Sequence, residues 1–186
     1  MQTGSWGQLA HRADAFAAEA GWQPRLPEKV DLWLRGGYDN GSGDDDANDT
    51  AHGTFFQVLP TPRVYARFPF FNLMNTGDAF GELIIKLSKG LTFRTDVHSL
   101  GLANKNDLWY QGGGAFQPST FGYTGRPSNG HSGLATLYDA SADYGVNTRL
   151  SIGAYYSLAS GKLVTQSIYP NGTDAHLGYV ELLVRF

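Results

Sequence analysis

Along much of the chain apolar and polar residues alternate one for one, the period of a β-strand rather than of a helix. The stretch from Leu91 is the clearest case. Leu91, Phe93, Thr95 and Val97 fall on one face, and Thr92, Arg94, Asp96 and His98 on the other. Tyr138, Ala140, Ala142 and Tyr144 oppose Asp139, Ser141 and Asp143 in the same way, and Leu150, Ile152, Ala154, Tyr156 and Leu158 oppose Arg149, Ser151, Gly153, Tyr155 and Ser157. The pattern predicts about seven strands: Ala10 to Trp22, Val30 to Tyr38, Ala79 to Leu87, Leu91 to Leu102, Leu134 to Tyr144, Thr148 to Ala159 and Asp174 to Phe186. The expected fold class is all-β, an antiparallel meander.

The segments between these strands are alternately short and long. Ser88-Lys89-Gly90 and Gly145-Val146-Asn147 are tight turns and Gln23 to Lys29 a modest one, whereas Asp39 to Asp78 and Ala103 to Gly133 are long and Gly-rich. Outer-membrane barrels combine short periplasmic turns, longer extracellular loops and strands of about ten residues. Aromatic residues gather at the strand ends, Trp22, Phe93, Tyr144 and Phe186 toward the short turns and Tyr38, Trp109, Tyr110 and Tyr156 toward the long loops, as interfacial girdles do. The last strand sets Val180, Leu182, Val184 and Phe186 against Tyr179, Glu181, Leu183 and Arg185. A terminal Phe on such a strand resembles the signal that barrels present to their assembly machinery. The rival architecture is a soluble β-sandwich that binds glycans through Trp109, Tyr110 and Phe116, because a sandwich alternates in the same way.

Composition narrows the choice. Charged residues make up 17% of the 186 and aromatic residues 13%, against roughly a quarter charged in an average soluble domain. Part of the surface is therefore expected to meet something other than water. The net charge of -3, with no basic run, argues against nucleic acid. The absence of cysteine removes disulfides and thiol chemistry and suits passage through an oxidising periplasm. The N-terminus lacks the basic and apolar regions of a signal peptide, and no stretch has the roughly 18 consecutive apolar residues of a transmembrane helix.

Three stretches carry a family likeness: GTFFQVLPTPRVYARFPFFNLMN from Gly53 to Asn75, LTFRTDVHSLGLANKNDLWYQGGG from Leu91 to Gly114, and Ala115 to Gly133 with its FGYTGRPSNGHSG. Together they resemble the C-terminal half of the alginate export family of outer-membrane proteins. The resemblance implies a many-stranded barrel in the bacterial outer membrane, among lipid and lipopolysaccharide, that passes a polysaccharide such as alginate or small solutes. On that likeness residues 1–186 are the C-terminal portion of the barrel with its N-terminal strands missing, an odd strand count agreeing because single-chain bacterial barrels have even counts. Phe186 is then the contact for the barrel assembly machinery.

A channel for an anionic polymer needs cations along its lumen. The register turns Arg35, Lys86, Arg94, Arg149 and Arg185 inward and leaves Arg63 and Arg67 in the long loop. That loop also holds Phe55, Phe56, Val64, Tyr65, Phe68, Phe70 and Phe71, so it is expected to fold over or into the lumen. The same inward faces carry Asp31, Glu82, Asp96, Asp139, Asp143 and Glu181, so the expected wall is mixed in sign. The run Asp44 to Asp49 misses the Gly and the terminal Glu of an EF-hand and reads as a solvated acidic loop. His98, His131 and Ser132 do not form a catalytic pattern, and the chain has no G-x-S-x-G, H-E-x-x-H or P-loop. A transport protein without enzyme activity, cofactor or metal is expected.

Overall fold

The computed structural model describes residues 1–25, 30–58, 68, 72–87, 90–112 and 123–186. The described residues form twelve strands and one short helix: β1 Gln2–Trp6, β2 Leu9–Ala13, β3 Ala15–Trp22, β4 Val30–Gly41, β5 Ala51–His52, β6 Thr76–Leu87, β7 Leu91–Leu102, β8 Trp109–Gly112, β9 Tyr123–Arg126, β10 Gly133–Gly145, β11 Leu150–Gly161, α1 Leu163–Ile168 and β12 Ala175–Val184. Seven of the strands form one sheet in the order β12-β11-β10-β7-β6-β4-β3, each antiparallel to its neighbour. The sheet does not close on itself among the described residues, as expected of a stretch of barrel wall.

Six of the seven expected strands coincide with observed ones to within three residues at either end. Two differences stand out. The strand expected over Ala10 to Trp22 is two strands, broken at Asp14, whose backbone N–H donates to Ser42 Oγ at 3.0 Å. β2 leaves the main sheet there, pairs with β1 around Gly7 (φ +61°) and lies parallel to β5. Strands β4 and β6 are longer than expected and reach Gly41 and Thr76, so that Asp39 and Asp78 sit opposite one another within the ladder.

All long connections leave from the same end of the sheet, and they knit together. Asn75, fully buried at φ +50°, donates from Nδ2 to the carbonyls of Asn104 and Leu108 at 2.9 Å each, and its Oδ1 accepts the Asn104 N–H at 2.7 Å. Asp107 Oδ2 accepts from the Asp44 N–H and the Thr54 hydroxyl, at 2.9 and 2.6 Å. Asn72 Nδ2 donates to the Tyr110 carbonyl and Tyr123 Oη to the Gln57 carbonyl. Burial alone pushes the Tyr123 phenol up to about 12. These bonds satisfy polar groups that would otherwise be stranded in a covered region. Beneath them lies the hydrophobic core, in which Phe68, Leu73, Trp109 and Val164 from the connections pack on Leu100, Leu102, Leu134, Ala135, Leu137 and Ala159 from the strands. At the opposite end the turns are tight, and Asn147 Oδ1 accepts the N–H groups of Arg149 and Leu150.

Candidate functional site

The ladder registers divide the sheet into two faces without ambiguity, because residues directly paired across antiparallel strands share a face. One face holds Trp22, Leu34, Leu83, Ile85, Phe93, Val97, Tyr138, Tyr144, Ile152, Tyr156, Val180, Leu182 and Val184. It carries no carboxylate, Lys or Arg on any of the seven strands. Its side chains are nonetheless open, with Val97 at 45%, Ile152 at 40% and Leu182 at 63% exposure. The other face is polar yet sheltered: Asp78 is 0% exposed, His98 1%, Asp139 3% and Glu82 5%. A water-soluble sheet buries the first set and exposes the second; here the order is inverted.

From the short turns toward the loops, the polar face falls into tiers. The first holds Asp31, Lys86, Asp143 and Glu181, all exposed. The second is an ion-pair chain: Glu82 accepts from Arg35 Nε on one oxygen and pairs with Arg94 Nε at 3.0 Å on the other, while Arg35 Nη1 reaches Glu19 Oε2 at 3.1 Å. Arg35 also lies over the rings of Trp33 and Phe80, 5.3 and 5.7 Å from their centroids, a cation–π arrangement. The third tier is acidic, with the buried Asp39, Asp78 and Asp139 and the partly exposed Asp96 around His98. His98 Nδ1 hydrogen-bonds Asp78 Oδ2 at 2.6 Å, and the Tyr155 hydroxyl donates to Asp139 Oδ1 at 3.0 Å. Above this tier the face turns apolar at Leu100, Leu102, Ala135, Leu137 and Ala159, which is where the loops dock. The long connections therefore fold against the polar face, with Phe55 and Phe68 from the 53–75 segment among the packed residues.

The nine sequence candidates divide as follows. Arg35, Lys86, Arg94, Asp96 and Glu181 occupy the polar face of β4, β6, β7 and β12. Arg149 and Arg185 are in no strand: Arg149 belongs to the β10–β11 turn and Arg185 follows the end of β12, the Arg185 N–H donating to the Arg149 carbonyl at 2.8 Å. Both are exposed at the short-turn end, because the β11 ladder begins only at Leu150. Arg63 and Arg67 lie outside the described residues, as do Val64, Tyr65, Phe70, Phe71 and Phe116. Two aromatic assignments change. Trp109 is 3% exposed in the loop core, not in a girdle, and so offers no platform for a glycan. Tyr110 donates to Asp107 Oδ1 at 2.9 Å among the packed loops. In the acidic run Asp44 to Asp49, Asp44 is buried, and Asp46 and Asp49 cap the N–H groups of Asn48 and Ala51.

Sequence reasoning passed over Asp39 and Asp78, which it placed in loops, and set His98 aside. The alternation Thr76, Asp78, Phe80, Glu82 was the available signal, masked by the turn-like Asn-Thr-Gly-Asp composition. On the described polar face the carboxylates Glu19, Asp31, Asp39, Asp78, Glu82, Asp96, Asp139, Asp143 and Glu181 outnumber the cations Arg35, Lys86 and Arg94. This face is mixed in sign with an excess of acid, and Arg35 and Arg94 are already engaged by Glu82. No helix of the described residues is long and apolar enough to cross a membrane.

Among known families, the one described as alginate export matches residues 1–161. No curated protein matches the chain.

Proposed function

We propose that this chain, which belongs to the alginate export family, forms part of the wall of a bacterial outer-membrane β-barrel and works as a passive channel, without catalysis, for polysaccharide or small solutes. One observation carries the reading: an uncharged apolar face, continuous over seven strands and left uncovered, backs onto a polar face with buried charge. That inversion is stable only where the apolar face meets hydrocarbon and the polar face lines a hydrated lumen. Backbone groups at an open sheet edge cannot face lipid, so on this reading further strands pair with β3 and β12 and complete the wall. The loop core then narrows the mouth of the pore.

The acid excess favours small or cation-accompanied solutes over a bare polyanion along this part of the wall, since like charge in a narrow pore is poorly screened. If alginate is the passenger, its cationic path runs elsewhere, with Arg63 and Arg67 of the long loop the candidates that the sequence offers. The test is extraction followed by conductance. The full-length protein is expected to leave membranes only with detergent and to give ohmic channels in planar bilayers. Release by carbonate or salt alone would refute the membrane reading. Liposome swelling then separates passengers: neutral oligosaccharides are expected to enter faster than oligouronates of equal length, and the reverse order would restore the polyanion.

A further inference from the structure

On the polar face, directly beneath the loop core, Asp96 and Asp139 are opposite partners in the β7–β10 ladder, and His98 is the next residue on that face of β7. Each offers one ligand atom, and the three atoms lie within 4.8 Å of one another. Two carboxylates placed directly across a ladder repel each other unless something positive lies between them. His98 Nε2 and Asp139 Oδ2 are buried and have no hydrogen-bond partner. Asp96 Oδ2 stands 4.0 Å from His98 Nε2, beyond hydrogen-bond range. Orphaned buried polar atoms on two different strands, both belonging to one cluster, are costly unless a ligand joins them.

The surroundings are those of a metal centre. His98 Nδ1 lies 2.6 Å from Asp78 Oδ2, and with the Nδ1 proton donated to Asp78 a neutral ring keeps its Nε2 lone pair for a ligand beside the two carboxylates. A carboxylate behind a ligating histidine is the usual outer-shell arrangement, and it raises the ligand's basicity. Tyr155 occupies Asp139 Oδ1 from the other side and leaves Oδ2 for the cluster. Asp96, at 15% side-chain exposure, is the most open of the three and marks the side from which an ion and its water enter.

We propose that Asp96, His98 and Asp139 bind one divalent transition-metal ion, with zinc the best match to two carboxylate oxygens, one imidazole nitrogen and a fourth position left to water. Binding draws the three ligand atoms together, since a tetrahedral centre with bonds of about 2.0–2.1 Å holds them roughly 3.3 Å apart, joins β7 to β10 beneath the loop core and offsets two of the wall's negative charges. The site stands on the geometry of these residues and does not depend on what the channel carries.

The full-length protein in detergent, stripped with chelator and dialysed, is titrated with Co²⁺ and followed by its ligand-field absorption. One equivalent is expected to bind with bands of an oxygen and nitrogen site and to be displaced by Zn²⁺. Asp139→Asn and His98→Gln are each expected to weaken binding at least tenfold, and Asp78→Asn by about 10- to 100-fold through the lost outer-shell bond. The double variant Asp45→Asn and Asp46→Asn, in the exposed acidic loop, should change nothing. Absence of stoichiometric uptake, or uptake that follows the loop variant rather than the cluster variants, overturns the site. Should the cluster variants lose the heat-modifiable folded band, X-ray absorption of the zinc-loaded unaltered protein decides. One imidazole among oxygen ligands at about 2.0–2.2 Å supports the site, and a first shell without imidazole overturns it.

Discussion

Phe93 and Arg94 are neighbours in one strand, yet the environments of the two faces they mark differ as much as two proteins do. On the side of Phe93 the residues are apolar, uncharged and open. On the side of Arg94 they are charged, open near the short turns but bonded to one another and sheltered in the middle tiers, and toward the loops that face becomes apolar and buried. The comparison teaches that burial here does not follow hydrophobicity; it follows which surface the connecting segments cover. Leu137 and Val97 are both apolar, but Leu137 lies under the loops whereas Val97 stays open among the described residues, and on the barrel reading lipid completes what the fold leaves bare.

The comparison is broken most forcefully in the loop core. Leu137→Ala, at a fully buried position, is expected to lower stability by about 2–5 kcal/mol through lost transfer energy and an unfilled cavity. Denaturant unfolding from lipid vesicles measures it, and a loss under 1 kcal/mol would mean that the loops do not pack on this face. Next comes a charge on the open face. Val97→Arg should cost about 2–4 kcal/mol by the same measurement if the site is near the bilayer centre, whereas Thr92→Arg, on the polar face of the same strand, should stay within about 0.5 kcal/mol. Equal effects at the two positions would deny that lipid covers one face only.

A smaller effect is expected from Glu82→Gln, which leaves Arg35 and Arg94 without their shared carboxylate. With both guanidinium groups partly hydrated, about 1–2 kcal/mol is the expected loss. The reversal potential in a salt gradient should shift toward anions at the same time. An unchanged potential would remove this tier from the conduction path.

The smallest effect concerns the N-terminal hairpin, away from both faces. Burial, and then the neighbouring His11, lower the pKa of His52, whose ring stacks on Trp6 at 4.8 Å. A histidine with a depressed folded value stays neutral while the unfolded chain takes up a proton. The hairpin's stability is therefore full above about pH 6.5 and declines as pH falls from there toward the folded value, with no further loss from this group below it. Quenching of Trp6 fluorescence should show a midpoint below pH 6.5, absent in His52→Gln. A midpoint at or above 6.5 contradicts the packing described.

Much of this molecule was legible in the chain because its strands are long and alternate strictly. Leu91 to Leu102 was placed to the residue, and Leu83, Phe93 and Ile152 fall on the face opposite Glu82, Arg94 and Asp96 as the period of two demands. Less legible were the places where local composition and tertiary pairing disagree. Asn75 to Asp78 reads as a turn, yet the long pairing with β4 draws Thr76, Gly77 and Asp78 into the ladder. Asp14 sits within an apparently continuous strand, yet Ser42 ends the strand there by capturing its N–H. Trp109 reads as an interfacial aromatic until the loops close over it.

Alternation within each strand, turn chemistry and the distribution of charge are properties of neighbours in sequence, and they determined the all-β class, the meander and the division into an oily and a polar face. Partners across strands and loops are set by register and by long-range closure, which no single segment encodes. Only the tertiary structure therefore decided that Glu82 neutralises both Arg35 and Arg94, that the acidic tier lies beneath the loop core, and that His98, bonded to Asp78 of β6 through Nδ1, sets its Nε2 beside Asp96 and Asp139, carboxylates borne on two strands whose connection runs through 30 residues.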